Sequence, residues 1–193
     1  MKQFPLFLIA ILSSLSMLCA CEDRVDPDDL LGRYSTGSIT AIQNGQSWKG
    51  NAYLEMEGRL PGHYALLIRK FNSQGFSREN FGFSRISPNK DRQEVYPGIP
   101  EIERVSDTVR SFYTTILDDG DVGGDFYDID RDGFDNWVQI TEYDQENGRI
   151  KGQFEIHLIL AENQGNIEPN APDRIDFVDG TFDVRAPDDF VFD

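Results

Sequence analysis

The chain has 193 residues, with 18 basic and 34 acidic side chains and a formal net charge of −16. A surface this acidic repels phosphate backbones and anionic headgroups, which excludes nucleic acid as a partner. The two histidines and two cysteines show no zinc-site spacing, no "HExxH" occurs, and no "GxSxG" marks a serine hydrolase.

Lys2 opens the chain, and a mostly apolar run follows from Phe4 to Met17, with Ser13, Ser14 and Ser16 near its end. The run is short for a bilayer span and has the form of a secretory signal over residues 1–20. "LCAC", residues 18–21, then resembles a bacterial lipobox. That resemblance implies cleavage after Ala20 and lipidation of Cys21, and so an outer-membrane protein held through its lipid. Cys19 then leaves with the signal, and no thiol remains for a disulfide, a metal or a nucleophile. Residues 21–34, acidic and broken by Pro27, read as a tether. Glu22 and Asp23 loosely resemble a surface-export signal, and both the periplasmic and the cell-surface face stay open.

From residue 35 to residue 187 short apolar runs alternate with Gly, Pro, Asn and Asp, the pattern of an all-β domain. "SITAIQ", Asn44-Gly45 and "QSW" read as a hairpin on a type I′ turn. Ala52, Leu54 and Met56 alternate with Tyr53, Glu55 and Glu57. Tyr64 to Phe71 is apolar enough to be buried on both faces. Phe81 and Phe83 mark a strand over 79–86. Residues 87–107 carry Pro88, Pro97 and Pro100 and read as loop, with room for a short edge strand or a small helix. Val109 to Leu117 and Trp137 to Tyr143 are β-rich. Ile150 to Leu160 has the cleanest period of two, with His157 on its wet face. In "RIDFVDGTFDVR" the apolar parity changes at Asp179-Gly180, which calls for a hairpin or a bulge. The expectation is one antiparallel β-sandwich or partly open barrel of about eight to ten strands, with a loose tail at 188–193.

The acidic segment 118–135 holds "DIDRDG" at 128–133. Alternating acids on a tight loop suit calcium, which takes several oxygen ligands. Asp128, Asp130 and Asp132 would supply carboxylates, Phe134 a carbonyl and Asn136 a side-chain or water-mediated oxygen, with Gly133 at the turn. Gln139 stands where an EF-hand has its closing Glu, so Asp121, Asp125 or Asp135 would have to complete the shell. The competing reading is a solvated acidic loop. Crowding acids beside Arg131 alone is repulsive without a counterion.

"GSITAIQNGQSWKG", "VQITEYDQENGRIKGQFEIHL" and "FVDGTFDV" together resemble a family of uncharacterised lipoproteins from Bacteroides-type Gram-negative bacteria. The resemblance covers most of Gly37 to Val184 and leaves 118–135 outside, as an insertion. It implies a β-rich, membrane-anchored domain and brings no activity and no catalytic residues. Tyr53, Trp137 and Tyr143 alternate with apolar positions, so they either bind sugar faces or pack across strands. The expectation is a non-enzymatic binding or accessory lipoprotein whose partner is a glycan or an envelope protein. The alternatives are a structural subunit of an envelope assembly and a glycan-active enzyme using two carboxylates.

Overall fold

The computed structural model describes residues 37–56, 62–88, 92–98, 108–118, 120, 122–161 and 167–185. Cys21, the tether, the tail and Asp121 lie outside them. The elements are β1 (Gly37–Gln43), β2 (Gln46–Met56), β3 (Tyr64–Phe71), β4 (Ser77–Ile86) and β5 (Arg92–Pro97). They continue with β6 (Val109–Ile116), β7 (Gly123–Ile129), β8 (Trp137–Asp144), β9 (Arg149–Leu160) and β10 (Arg174–Arg185). No helix occurs among the described residues.

The all-β expectation resolves into a closed barrel. Nine strands form the ring in the order β10-β1-β2-β3-β4-β6-β5-β8-β9, and β9 pairs back onto β10. Neighbours are antiparallel except β5 and β6, which run parallel through Val95↔Val109 and Tyr96↔Arg110. The tenth strand, β7, lies between β6 and β9. At one end of the barrel β7 alone bridges them, through Tyr113↔Tyr127 and Tyr127↔Leu160. At the other end β5 and β8 bridge them together. One more strand therefore circles that end, and the wall must fork between the two.

Strand directions fix what each end carries. The end bridged by β7, here the mouth, holds the β1–β2, β3–β4, β6–β7 and β9–β10 connections. The opposite end, here the far end, holds the β8–β9 turn and both limits of the described chain, where Gly37 pairs with Val184. Gly37, which opens β1, and Arg185, which closes β10, therefore both lie at the end away from the mouth.

Period-two alternation places one face of every strand inside. Ile150, Phe154, Ile156 and Leu158 of β9 are buried, and so are Phe81 and Phe83 of β4 and Phe177 and Phe182 of β10. The interior is filled by side chains, as small barrels are. Phe81 and Phe177 stack at 5.0 Å, and the Trp48 ring stands edge-on to Phe177 at 4.9 Å. The early glycine of β9 has a packing reason. A Cβ on Gly152 would come within 2.2 Å of the Phe182 ring and 2.4 Å of the Gln139 carbonyl.

The first hairpin turns at Asn44 and Gly45 with φ of 48° and 79°, as its sequence requires. In β3, Tyr64, Ala65 and Leu66 are buried in succession, and outward exposure returns at Arg69. Three expectations need correction. Residues 92–97 are not an edge strand: β5 is held on both sides, because its ring position lies between β6 and β8. The acidic segment is not one loop, since β7 lies inside it. His157 is 8% exposed instead of wet, because Phe134, Asp176 and Glu155 cover its outward side chain. Of the two readings of Asp179-Gly180 the bulge holds: Asp179 has φ 52°, and the β9–β10 register slips between Phe177 and Gly180.

Candidate functional site

The acidic motif sits at the fork of the wall. Asp128 and Ile129 end β7, so the alternation of acids is the alternation of a strand. Tyr127 and Ile129 point into the barrel, and Asp128 and Asp130 point out. The Asp130 N–H donates to the His157 carbonyl at 2.8 Å and carries the β7–β9 ladder one residue further. Asn136 closes the fork. Its Nδ2 donates to the Asp130 carbonyl at 2.6 Å, and its Oδ1 accepts the His157 N–H at 2.6 Å. Its own carbonyl accepts the Val95 N–H at 2.9 Å. One buried side chain thus joins the end of β7 to β9, and its backbone reaches β5.

Asp130 is 5% exposed, and its carboxylate is fully used. Oδ2 pairs with the Arg174 guanidinium, and Oδ1 accepts the Asp132 N–H at 2.9 Å. Arg174 lies over the Phe134 ring at 4.1 Å, and Phe134 packs on His157 at 4.5 Å. His157 Nδ1 is 2.7 Å from Asp176 Oδ1, and Nε2 is 3.2 Å from Glu155 Oε1.

The proposed calcium ligands are not brought to one point. Asp128 is half-buried, and burial pushes its carboxyl above the usual range. Asp132 is exposed. Asp135 is exposed and holds Arg92 at 2.6 Å. Phe134 contributes its ring to Arg174 and His157, and both polar side-chain atoms of Asn136 are engaged. Asp125 faces the mouth instead. Among the described residues no group of three or more His, Cys, Asp or Glu is placed to hold an ion. The acids are relieved singly by arginines from distant strands: Arg174 at Asp130, Arg92 at Asp135 and Arg78 at Asp118. Gly133 does supply the turn, with φ 85°.

The three aromatics form no common platform. Tyr53 is buried on the outer face of β2 beneath Arg69, whose guanidinium stands 5.8 Å from the ring. Trp137 lies under Arg92 at 4.3 Å. Tyr143 turns to the core, and its hydroxyl meets that of Tyr64 at 2.9 Å.

The mouth holds a cavity of about 340 Å³. Gln43, Thr115, Asp125 and Tyr127 line it from the strands, and Glu168, Asn170 and Pro172 line it from the β9–β10 connection. Beneath it charged side chains occupy inward positions, each at the mouth end of a strand. Lys70 and Glu79 pair in register across β3 and β4, with Nζ to Oε1 at 2.6 Å. The Trp48 indole donates to Glu79 Oε2 at 2.7 Å. Gln43 Nε2 donates to the Tyr113 hydroxyl at 3.4 Å. Burial, and next the Glu79 charge beside it, push the Tyr113 phenol far up, so it stays protonated.

Each connection at the mouth is pinned by one polar side chain. Asn44 Oδ1 accepts the Asp176 N–H at 2.7 Å. Asn72 Oδ1 accepts the N–H groups of Gln74 at 2.9 Å and Phe76 at 3.0 Å. Arg78 donates to the Leu117 carbonyl and, at 2.8 Å, to that of Asp118. Asp125, 1% exposed, accepts the N–H groups of Ile167 at 2.7 Å and Glu168 at 3.2 Å. Among the described residues the exposed large hydrophobics are Phe76, Val122, Ile159 and Ile167. Three of them sit on these connections, and Ile159 lies one residue from the mouth end of β9.

Sequence reasoning took Asp125 for a spare metal ligand and did not find the mouth. One signal was present. Stepping back by two from Phe81 reaches Glu79, and stepping on by two from Ile68 reaches Lys70, which puts charges at core parity. No family model matches this chain, and no curated protein or solved structure is significantly similar to it.

Proposed function

We propose that this chain is a lipid-anchored outer-membrane protein whose barrel is a non-catalytic binding domain, and that it takes an envelope or environmental glycan at the mouth. One observation carries the reading. The mouth cavity and the rim hydrophobics share one end of the barrel, while the described chain begins and ends at the other. A tether rising from a membrane would hold that mouth toward the solvent. Rim loops fixed by Asn44, Asn72, Arg78 and Asp125 lower the ordering cost of binding. Asp125 spends both oxygens on loop N–H groups, which argues against a role as catalytic base or nucleophile.

The anchoring half rests on "LCAC". A Cys21→Ser variant is expected to lose lipid labelling and to move from the membrane fraction to the soluble one. Unchanged membrane association would overturn it. The binding half is tested by retention of the full-length protein on an array of envelope glycans. Retention is expected, and it should be lost in a Val122→Gln/Ile167→Gln rim variant, which removes the rim hydrophobics without adding charge.

A further inference from the structure

The charges around the mouth cavity have one sign. Among the described residues its charged lining groups are Asp125 and Glu168, with no lysine, arginine or histidine beside them. Asp125 is a nearly fully buried carboxylate with two backbone N–H partners and no described cation. Glu168 likewise has no cationic partner among the described residues. Its Oε1 would be 2.9 Å from a Cβ on Gly124, which places the carboxylate at the β7 wall beside Thr115. The field is felt nearby: burial, then the charges of Asp125, Glu168 and Asp173, push the Tyr127 phenol up to about 12. A buried carboxylate without a counter-charge is costly, and a second one beside it adds to the cost. Lys70 does not relieve this, because its ammonium is held by Glu79.

Size separates the cations that could complete the site. A cavity of about 340 Å³ has the volume of roughly ten liquid waters. Calcium would need six to eight oxygens at about 2.3–2.6 Å, and among the described residues no group of three or more His, Cys, Asp or Glu is placed to hold an ion. An ammonium group needs three acceptors, and the rest of an organic ligand can fill the remaining space. Gln43, Asn44, Gln46 and Asn170 offer amides to hydroxyl groups on that remainder.

We propose that the mouth selects a ligand carrying a protonated primary amine on a polar organic body the size of one sugar ring, with Glu168 as the charge partner. This rests on the mouth being the binding site, and it narrows the ligand class to amine-bearing over neutral or acidic sugars. Phosphorylated and carboxylated ligands are excluded by the same field.

The test uses three matched probes, glucosamine, glucose and glucuronate, titrated into the full-length protein and followed by the amide signals of Gln43, Asn44 and Thr115. Glucosamine is expected to bind about tenfold or more tightly than glucose, the size of a charge-assisted contact, and glucuronate should not bind. Glu168→Gln is expected to remove the preference, so that glucosamine binds no more tightly than glucose. Its backbone contact with Asp125 is kept, so the loop stays in place. Equal binding of glucose and glucosamine at the mouth would overturn the charge inference alone. If none of the probes shifts the mouth signals at about 10 mM, the mouth reading falls with it.

Discussion

An Arg174→Met variant is expected to lose about 3 kcal/mol of unfolding free energy, the lower end of the range for breaking a buried ion pair. The methionine keeps much of the stem packed over Phe134 but leaves the Asp130 carboxylate buried and unpaired. Arg174 is itself 39% exposed, which is why the lower end applies. A double variant, Asp130→Asn with Arg174→Met, should regain most of the loss, because no stranded charge remains. Denaturant titration reads both. A single variant within about 0.5 kcal/mol of wild type would show that the pair contributes nothing. The same protein, melted with millimolar calcium and then with chelator, decides the role of "DIDRDG". The arginine-relieved wall predicts unchanged melting, whereas a bound ion would raise it by mass action.

Asn136→Leu should cost about 2–5 kcal/mol, because two buried backbone groups lose their partners together. These are the His157 N–H and the Asp130 carbonyl, each now held at 2.6 Å. The fork would open locally before the barrel unfolds, so amide exchange at Val95, Asp130 and His157 should quicken most. Equal quickening around the whole ring would show that Asn136 is an ordinary core position. The expected pattern instead makes it the joint at which β5 and β8 replace β7 in the wall.

Much of the fold was legible because a barrel strand writes its own period. Ile150 to Leu158 alternates without a break, and Asn44-Gly45 carries the φ values that a type I′ turn demands. The closure was not legible. The β9–β10 pairing is sequential, but the β6–β7 and β7–β9 contacts that fork the wall depend on a strand hidden among aspartates. Eight aspartates in 118–135 read as a loop because charge outweighed the alternation of Tyr127 and Ile129 beneath it. Their apparent need for a counterion arose from counting Arg131 as the sole local cation. The relieving groups, Arg78, Arg92 and Arg174, lie far away in sequence and adjacent in space. The mouth was hidden for a similar reason. Gln43, Thr115, Asp125 and Glu168 share no spacing and meet only when the ring closes.

The central claim is that binding belongs to the mouth, and the envelope-glycan array tests it most directly when run on three proteins. Wild type, the Val122→Gln/Ile167→Gln rim variant and an Asn147→Asp control at the far end differ little in net charge and share the same core. The account predicts retention by wild type and by the far-end control, and a loss of about tenfold or more in the rim variant. Retention that survives the rim change but disappears with Asn147→Asp would contradict it, as would a wild-type protein that retains no glycan.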